Sequence, residues 1–124
     1  MALEEFVGAV ALEFDGREFD CTSFSASVAT GRSLVRTMNR SGRAAGYRKG
    51  ITQYDLSITV VIPADGSEPD WENMVGAKLS VEPIAGGQRE AYLDVFTTSV
   101  GAAYEMDGEA RRNISAHALR KVKE

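Results

Sequence analysis

Tyr54-Asp55-Leu56-Ser57-Ile58-Thr59-Val60-Val61-Ile62 decides the fold class, because Tyr54, Leu56, Ile58, Val60 and Ile62 point one way and mostly polar residues the other. A period of two held over nine residues is a strand with one buried face. Upstream, Val10, Leu12 and Phe14 alternate with Ala9, Ala11 and Glu13, and Asp15-Gly16 then offers a two-residue hairpin turn into Arg17–Cys21. Phe24, Ala26 and Val28 extend the alternation as a third strand or a bulged continuation. Downstream, Lys78–Pro83 turns Leu79 and Val81 inward, and Gly86-Gly87 breaks the chain before Glu90–Val100. In that last run Leu93, Val95 and Thr97 oppose Tyr92, Asp94 and Phe96, so both faces carry apolar weight and the strand is read as central. Asp107-Gly108 turns into a closing run, Ala110–Leu119, with Ile114, Ala116 and Ala118 on one face.

These runs predict a mainly β, two-sheet sandwich or barrel of about seven strands. One short flanking helix is expected over Glu68–Val75. Ser67 is its N-cap, Pro69 and the acids occupy its first turn, Gly76 closes it, and Trp71, Met74 and Val75 form its apolar stripe. The expected core is Leu56, Ile58, Val60, Trp71, Leu93 and Val95. At 124 residues the chain is read as one domain, 1–124, able to bury roughly 65% of its unfolded surface without staples.

Cys21 and His117, the only cysteine and histidine, exclude an internal disulfide and a structural zinc held by these types alone. A reducing compartment suits such a chain. The opening Met1–Phe6 carries acids where a secretory leader carries bases, and no apolar run reaches the ~20 residues of a membrane span. The chain is therefore expected to stay where it is made.

The net charge of −4 is unevenly spread. Between Gly31 and Gly50 stand Arg32, Arg36, Arg40, Arg43, Arg48 and Lys49 without an acid, a local +6. The tail from Arg111 onward adds +4, leaving 17 acids against three cations elsewhere. Segregated charge of this kind suits either a solvated basic loop with no partner or a chain that meets copies of itself, basic loop to acidic face. The same segment, Ala29–Gly50, shows no sustained period and is predicted to be a long extended loop. One of about twenty residues in so small a domain is uncommon and points to assembly.

No catalytic constellation emerges, and an enzyme is not expected. Gly31-Arg32-Ser33 lacks the second glycine of a nucleophile elbow, and Gly42–Gly50 lacks the Lys-Ser/Thr ending of a phosphate loop. His117 sits on the polar face of a predicted strand with no nucleophile or orienting partner in sight. The carboxylates at turns do not match a calcium loop. Bases around Tyr47 suggest a small nucleic-acid-binding β-barrel, but such modules combine a basic groove with several stacking aromatics and this loop supplies one.

The opening hairpin Gly8–Gly16, the glycine-rich basic loop ending in Gly46-Tyr47-Arg48-Lys49-Gly50, the alternating strand Tyr54–Ile62, the short acidic helix expected around Trp71 and the closing Asp107-Gly108 hairpin together resemble the tail tube (major tail) proteins of bacteriophages. The likeness covers nearly the whole chain and rests on patterns of turn and charge. It implies a structural subunit that forms hexameric rings. The inner strands of a ring join around a channel, and rings stack through the 29–50 loop into a conduit for DNA. It also implies a tape-measure protein and passing DNA as contents of the lumen, no cofactor, and a place in the virion tail after assembly in the host bacterial cytoplasm. An acidic lumen would repel phosphates, and Glu13, Asp55, Glu82 and Asp94 are the candidate lumen acids. Tubes of contractile tail-derived and type VI secretion systems share the architecture the resemblance implies.

Overall fold

The computed structural model describes residues 3–4, 7–64, 66, 68–84 and 86–124. Strand accounts for 56% of the described residues and helix for 3%. The ten strands among the described residues are β1 (Val10–Phe14), β2 (Arg17–Phe19), β3 (Cys21–Ala29), β4 (Ser33–Val35), β5 (Gly46–Arg48), β6 (Gln53–Val61), β7 (Ala77–Pro83), β8 (Glu90–Ala103), β9 (Arg111–Ala118) and β10 (Arg120–Lys123). All their pairings are antiparallel.

β8 organises the molecule by belonging to two sheets. Its first half pairs with β7 and β10, and through β7 with β1 and β2. Its second half, from Phe96, pairs with β9, which leads on to β6 and β3. Between the halves Asp94 adopts φ 57°, a left-handed conformation uncommon for a side-chain-bearing residue, and the β7 register slips there. The inner faces of both sheets meet in one core containing Leu12, Phe14, Leu79 and Tyr92 from the first and Leu56, Ile58, Ile114 and Ala116 from the second. Tyr92 bridges them, with ring centroids 6.3 Å from both Phe24 and Tyr54. The ladders have free ends, so the sandwich alternative holds and the sheet is not a closed barrel.

Two sequence expectations need correction. The helix over Glu68–Val75 is a single 3-10 turn, Trp71–Asn73, flanked by Asp70 at ψ 86° and Met74 at ψ 116°. No side chain caps it, and so short a run cannot offset the cost of helix nucleation. Trp71 still reaches the core against Phe14 and Phe19, at 5.1 and 5.4 Å between centroids, but Val75 is exposed and the apolar stripe does not form. The second correction is Leu93. Tyr92 and Val95 point inward, so an uninterrupted alternation fails, and the extra residue at the Asp94 bulge puts Leu93 on the outer face. Leu56, Ile58, Val60, Trp71 and Val95 are buried as expected. The N-cap expectation at Ser67 lies outside the described residues, as do Met1, Ala2, Glu5 and Phe6 of the opening segment.

Candidate functional site

The second sheet, ordered β3-β6-β9-β8, has two unpaired edges among the described residues. One is β3, which pairs only with β6, and the other is the second half of β8 beyond Thr97, which pairs only with β9; at Thr97 itself the N–H donates to the Met74 carbonyl at 3.2 Å. β3 is also poorly covered: of its nine residues only Cys21 and Phe24 are half-buried, and Val28, on the core-facing side, is 44% exposed. Unpaired strand edges are templates for pairing with another chain.

The outer face of this sheet is ordered in rows by its register. Ser25, Ser57, Ser115 and Ser99 fall side by side across all four strands, all exposed. The adjacent row toward Ala29 holds Ser27, Asp55, His117 and Phe96, and the row on the other side holds Ser23, Thr59, Asn113 and Gly101. His117 Nδ1 lies 2.6 Å from Asp55 Oδ1, and Gln53 Nε2 donates to the same oxygen at 2.8 Å. The face is thus mostly hydroxyl and amide, with small side chains and little net charge.

The candidate lumen acids do not share a face. Asp55 belongs to the serine-bearing face. Glu13 and Glu82 lie on the outer face of the other sheet, on either side of Arg89, whose guanidinium is 3.6 and 3.9 Å from their carboxylates. Glu124 joins that network through Lys78, whose hydrogen bond chiefly holds its carboxyl below the ordinary range, and through Arg89. Asp94 sits at the bend of β8 and pairs with Arg120 at 3.1 Å.

The basic segment is an arm rather than an irregular loop. β4 and β5 form a two-stranded ladder between the end of β3 and the start of β6. Its neck is tight: a Cβ on Gly31 would lie 2.3 Å from the Ile51 carbonyl oxygen, and one on Gly50 would lie 2.3 Å from that of Gly31. Gly31 also has φ 78°, so glycine is required there twice over. At the tip Asn39 Nδ2 donates to the Arg43 carbonyl at 2.8 Å, and Ser41 Oγ donates to Asn39 Oδ1 at 2.6 Å. Leu34, Met38, Tyr47 and Ile51 are all exposed by 63% or more. Among the described residues Arg32, Arg36, Arg40, Arg43, Arg48 and Lys49 take part in no ion pair, whereas Lys78, Arg89, Arg111, Arg112, Arg120 and Lys121 of the body all do. At the opposite end of the same sheet the β8–β9 connection, Tyr104-Glu105-Met106-Asp107-Gly108-Glu109-Ala110, carries three acids and no base.

The serine row and the ends of the sheet escaped the sequence reading. Each serine marks a polar position of an alternating strand, but only the strand register aligns the four.

No family model and no curated protein matches the sequence. Solved structures do, at low identity. A chain of the anti-feeding prophage cap, the AFP tube-terminating cap, superposes with a TM-score of 0.74 at 12% identity over 100% of this chain and 94% of that one. A chain of the PVC sheath/tube terminator of an extracellular contractile injection system gives 0.73 at 15% identity over 99% of both chains. The SPP1 tail tube gives 0.66 at 11% identity, covering 91% of this chain and 76% of that one. The chain shares the fold of these tube and tube-terminator chains, and an Hcp1 from Flavobacterium johnsoniae is also among the similar structures.

Proposed function

We propose that this chain, acting as one domain over 1–124, is a non-enzymatic structural subunit of a tail tube. The observation that carries the proposal is one four-stranded sheet with two unpaired edges, β3 and the second half of β8, and a basic arm projecting from one end. Pairing the β3 edge of one copy with the β8 edge of the next removes both edges and, repeated six times, closes a hexameric ring. The arm, using Arg32, Arg36, Arg40, Arg43, Arg48 and Lys49, then contacts the next ring. That contact is heterologous and does not close on itself, so it propagates as a tube.

In such a ring the serine-bearing face lines the channel. Asp55 is then the one candidate lumen acid that faces it, and Glu13, Glu82 and Asp94 lie elsewhere, paired with arginines. The channel resists adhesion of DNA or of a tape-measure protein by presenting short hydroxyls and few charges, with electrostatic repulsion from Asp55 as a lesser term. The place of action on this reading is the virion tail, after assembly in the host cytoplasm.

A second reading, a tube component of a contractile injection apparatus, is favoured by the superpositions at 0.73 and 0.74 over essentially the whole chain. A nucleic-acid-binding barrel is disfavoured because the described sheets do not close and Tyr47 is the only aromatic of the arm. Negative-stain microscopy of the concentrated full chain tests the proposal. Hollow rings or tubes are expected, and a monodisperse monomer at millimolar concentration would overturn it. Co-purification with a sheath protein would favour the second reading.

A further inference from the structure

The arm tip is concave. Leu34, Arg36, Thr37, Met38, Asn39, Gly42, Arg43 and Ala44 surround an open hollow of about 450 Å³, lined by arm residues alone. Leu34, Met38 and Ala44 supply its apolar lining, and Arg36 and Arg43 its positive charge. A two-stranded hairpin with its apolar side chains in water is marginally stable by itself, so the hollow calls for an occupant.

We propose that the occupant is the β8–β9 loop of a second copy, with Met106 entering the hollow and Glu105 and Asp107 meeting Arg36 and Arg43. This rests on the tube reading above and names the acceptor that the arm requires. Met106 is 97% exposed, the neighbouring Tyr104 is 73% exposed, and among the described residues neither Glu105 nor Asp107 has an ion-pair partner. Glu109, by contrast, is already held by Arg111 at 2.6 Å, which lowers its pKa and leaves Glu105 and Asp107 for a partner. An unbranched thioether suits a shallow, irregular apolar hollow, since methionine adapts its shape through three rotatable bonds. Acids on either side of it match a hollow whose lining includes two guanidinium groups, those of Arg36 and Arg43.

The topology makes the contact intermolecular and directional. The arm leaves β6 at Gln53, whereas the β8–β9 loop flanks the other end of the ladder, where Val61 pairs with Arg111 and Arg111 with Ala103. Eight residues of strand separate the two ends, about 26 Å. Socket and knob therefore face opposite ways along the strand axis, and joining them repeats the subunit in one direction.

Paired charge reversal tests the contact in the full chain. Arg36→Glu with Arg43→Glu, and separately Glu105→Lys with Asp107→Lys, are each expected to slow polymerisation at least tenfold by light scattering, with the circular dichroism of the subunit unchanged. The chain carrying all four changes is expected to regain a rate within threefold of the parent. Failure of the four-change chain to recover would show that the two surfaces do not meet. Normal polymerisation of the Glu105→Lys, Asp107→Lys chain would overturn the socket while leaving the tube reading intact, whereas a parent that forms no tubes removes the reading itself. A second measurement avoids dependence on rate. Met38→Cys and Met106→Cys together, in a Cys21→Ser background, are expected to give an oxidised ladder of covalent multimers, and its absence from tubes formed by that chain would count against the contact.

Discussion

Truncation of Ile58 and of Leu93 separates the observed strand phase from the one that simple alternation implies. Ile58 is 1% exposed and lies between Phe24 and Ile114 in the register of β3, β6 and β9. Ile58→Ala removes three carbons, worth about 2.4 kcal/mol at roughly 0.8 kcal/mol per buried methylene. A residual cavity of about 40 Å³ adds ~1 kcal/mol at the usual cavity coefficient, for a total of about 3–4 kcal/mol. For a domain of 124 residues, an unfolding entropy of about 2.1 cal/mol/K per residue turns this into a fall of roughly 12–15 °C in Tm. Leu93 is half-buried on the outer face, opposite Arg120 of β10 and outside the core cluster, so Leu93→Ala is expected to cost under about 1 kcal/mol, or less than about 4 °C. Urea titration and calorimetry of both variants check the pair. Equal losses, or the larger loss at Leu93, would mean that β8 runs through Asp94 without changing phase, and the bulge argument would be wrong.

Gly50→Ala puts a methyl 2.3 Å from the Gly31 carbonyl oxygen, and the strain falls on the arm neck. Tryptic cleavage within the arm is expected to rise about tenfold while Tm moves by less than about 2 °C, because the arm opens independently of the core. A large loss of Tm would show that the arm is integral to the fold. In the parent chain the same tryptic sites are expected to be cut in the free subunit and protected in tubes, and equal rates would count against the arm as the stacking element. Burial, with help from Asp20, raises the Cys21 thiol above its ordinary pKa. Alkylation at pH 8 is therefore expected to run slower in the folded protein than in urea. The sign for stability follows, since the unfolded chain loses the thiol proton first and any contribution from Cys21 declines as pH rises through the thiol range.

The strands were legible wherever a run alternated and had a turn residue at its end, as in β6, β7 and the β1–β2 hairpin. Local chemistry alone decided those elements. Leu93 was misplaced because a bulge inserts one residue without a composition signal, and the φ of Asp94 is imposed by the requirement that one strand serve two sheets. The segment around Trp71 carried plausible capping chemistry, but only the tertiary fit of Trp71 against Phe14 and Phe19 could show that one 3-10 turn was enough. The arm was legible as an anomaly of charge and glycine spacing, though not as a hairpin, since β4 and β5 contribute three residues each. Pairing of Glu13 and Glu82 with Arg89 was invisible because Glu13 is distant in sequence from the other two and the three meet only through the β1–β7 ladder and the turn before β8.

The charge distribution also selects one mode of self-contact among several that exposed edges and apolar side chains would permit. A two-fold dimer through the arms would bring two sets of six unpaired cations together, and each close pair costs about 1 kcal/mol at 4 Å even in bulk water. A two-fold contact through the β8–β9 loops meets the same objection with Glu105 and Asp107. Arm to loop is the arrangement in which repulsion becomes attraction, and it is heterologous. Contacts along the sheet edges, on the proposed reading, would rest on backbone hydrogen bonds, and Lys78, Arg89, Arg111, Arg112, Arg120 and Lys121 of the body are already paired within the subunit. Ring formation is therefore expected to depend little on salt and ring stacking much more. At about 1 M salt the Debye length falls to about 3 Å, where stacking should weaken, and loss of direction between stacked rings should appear, before rings themselves come apart.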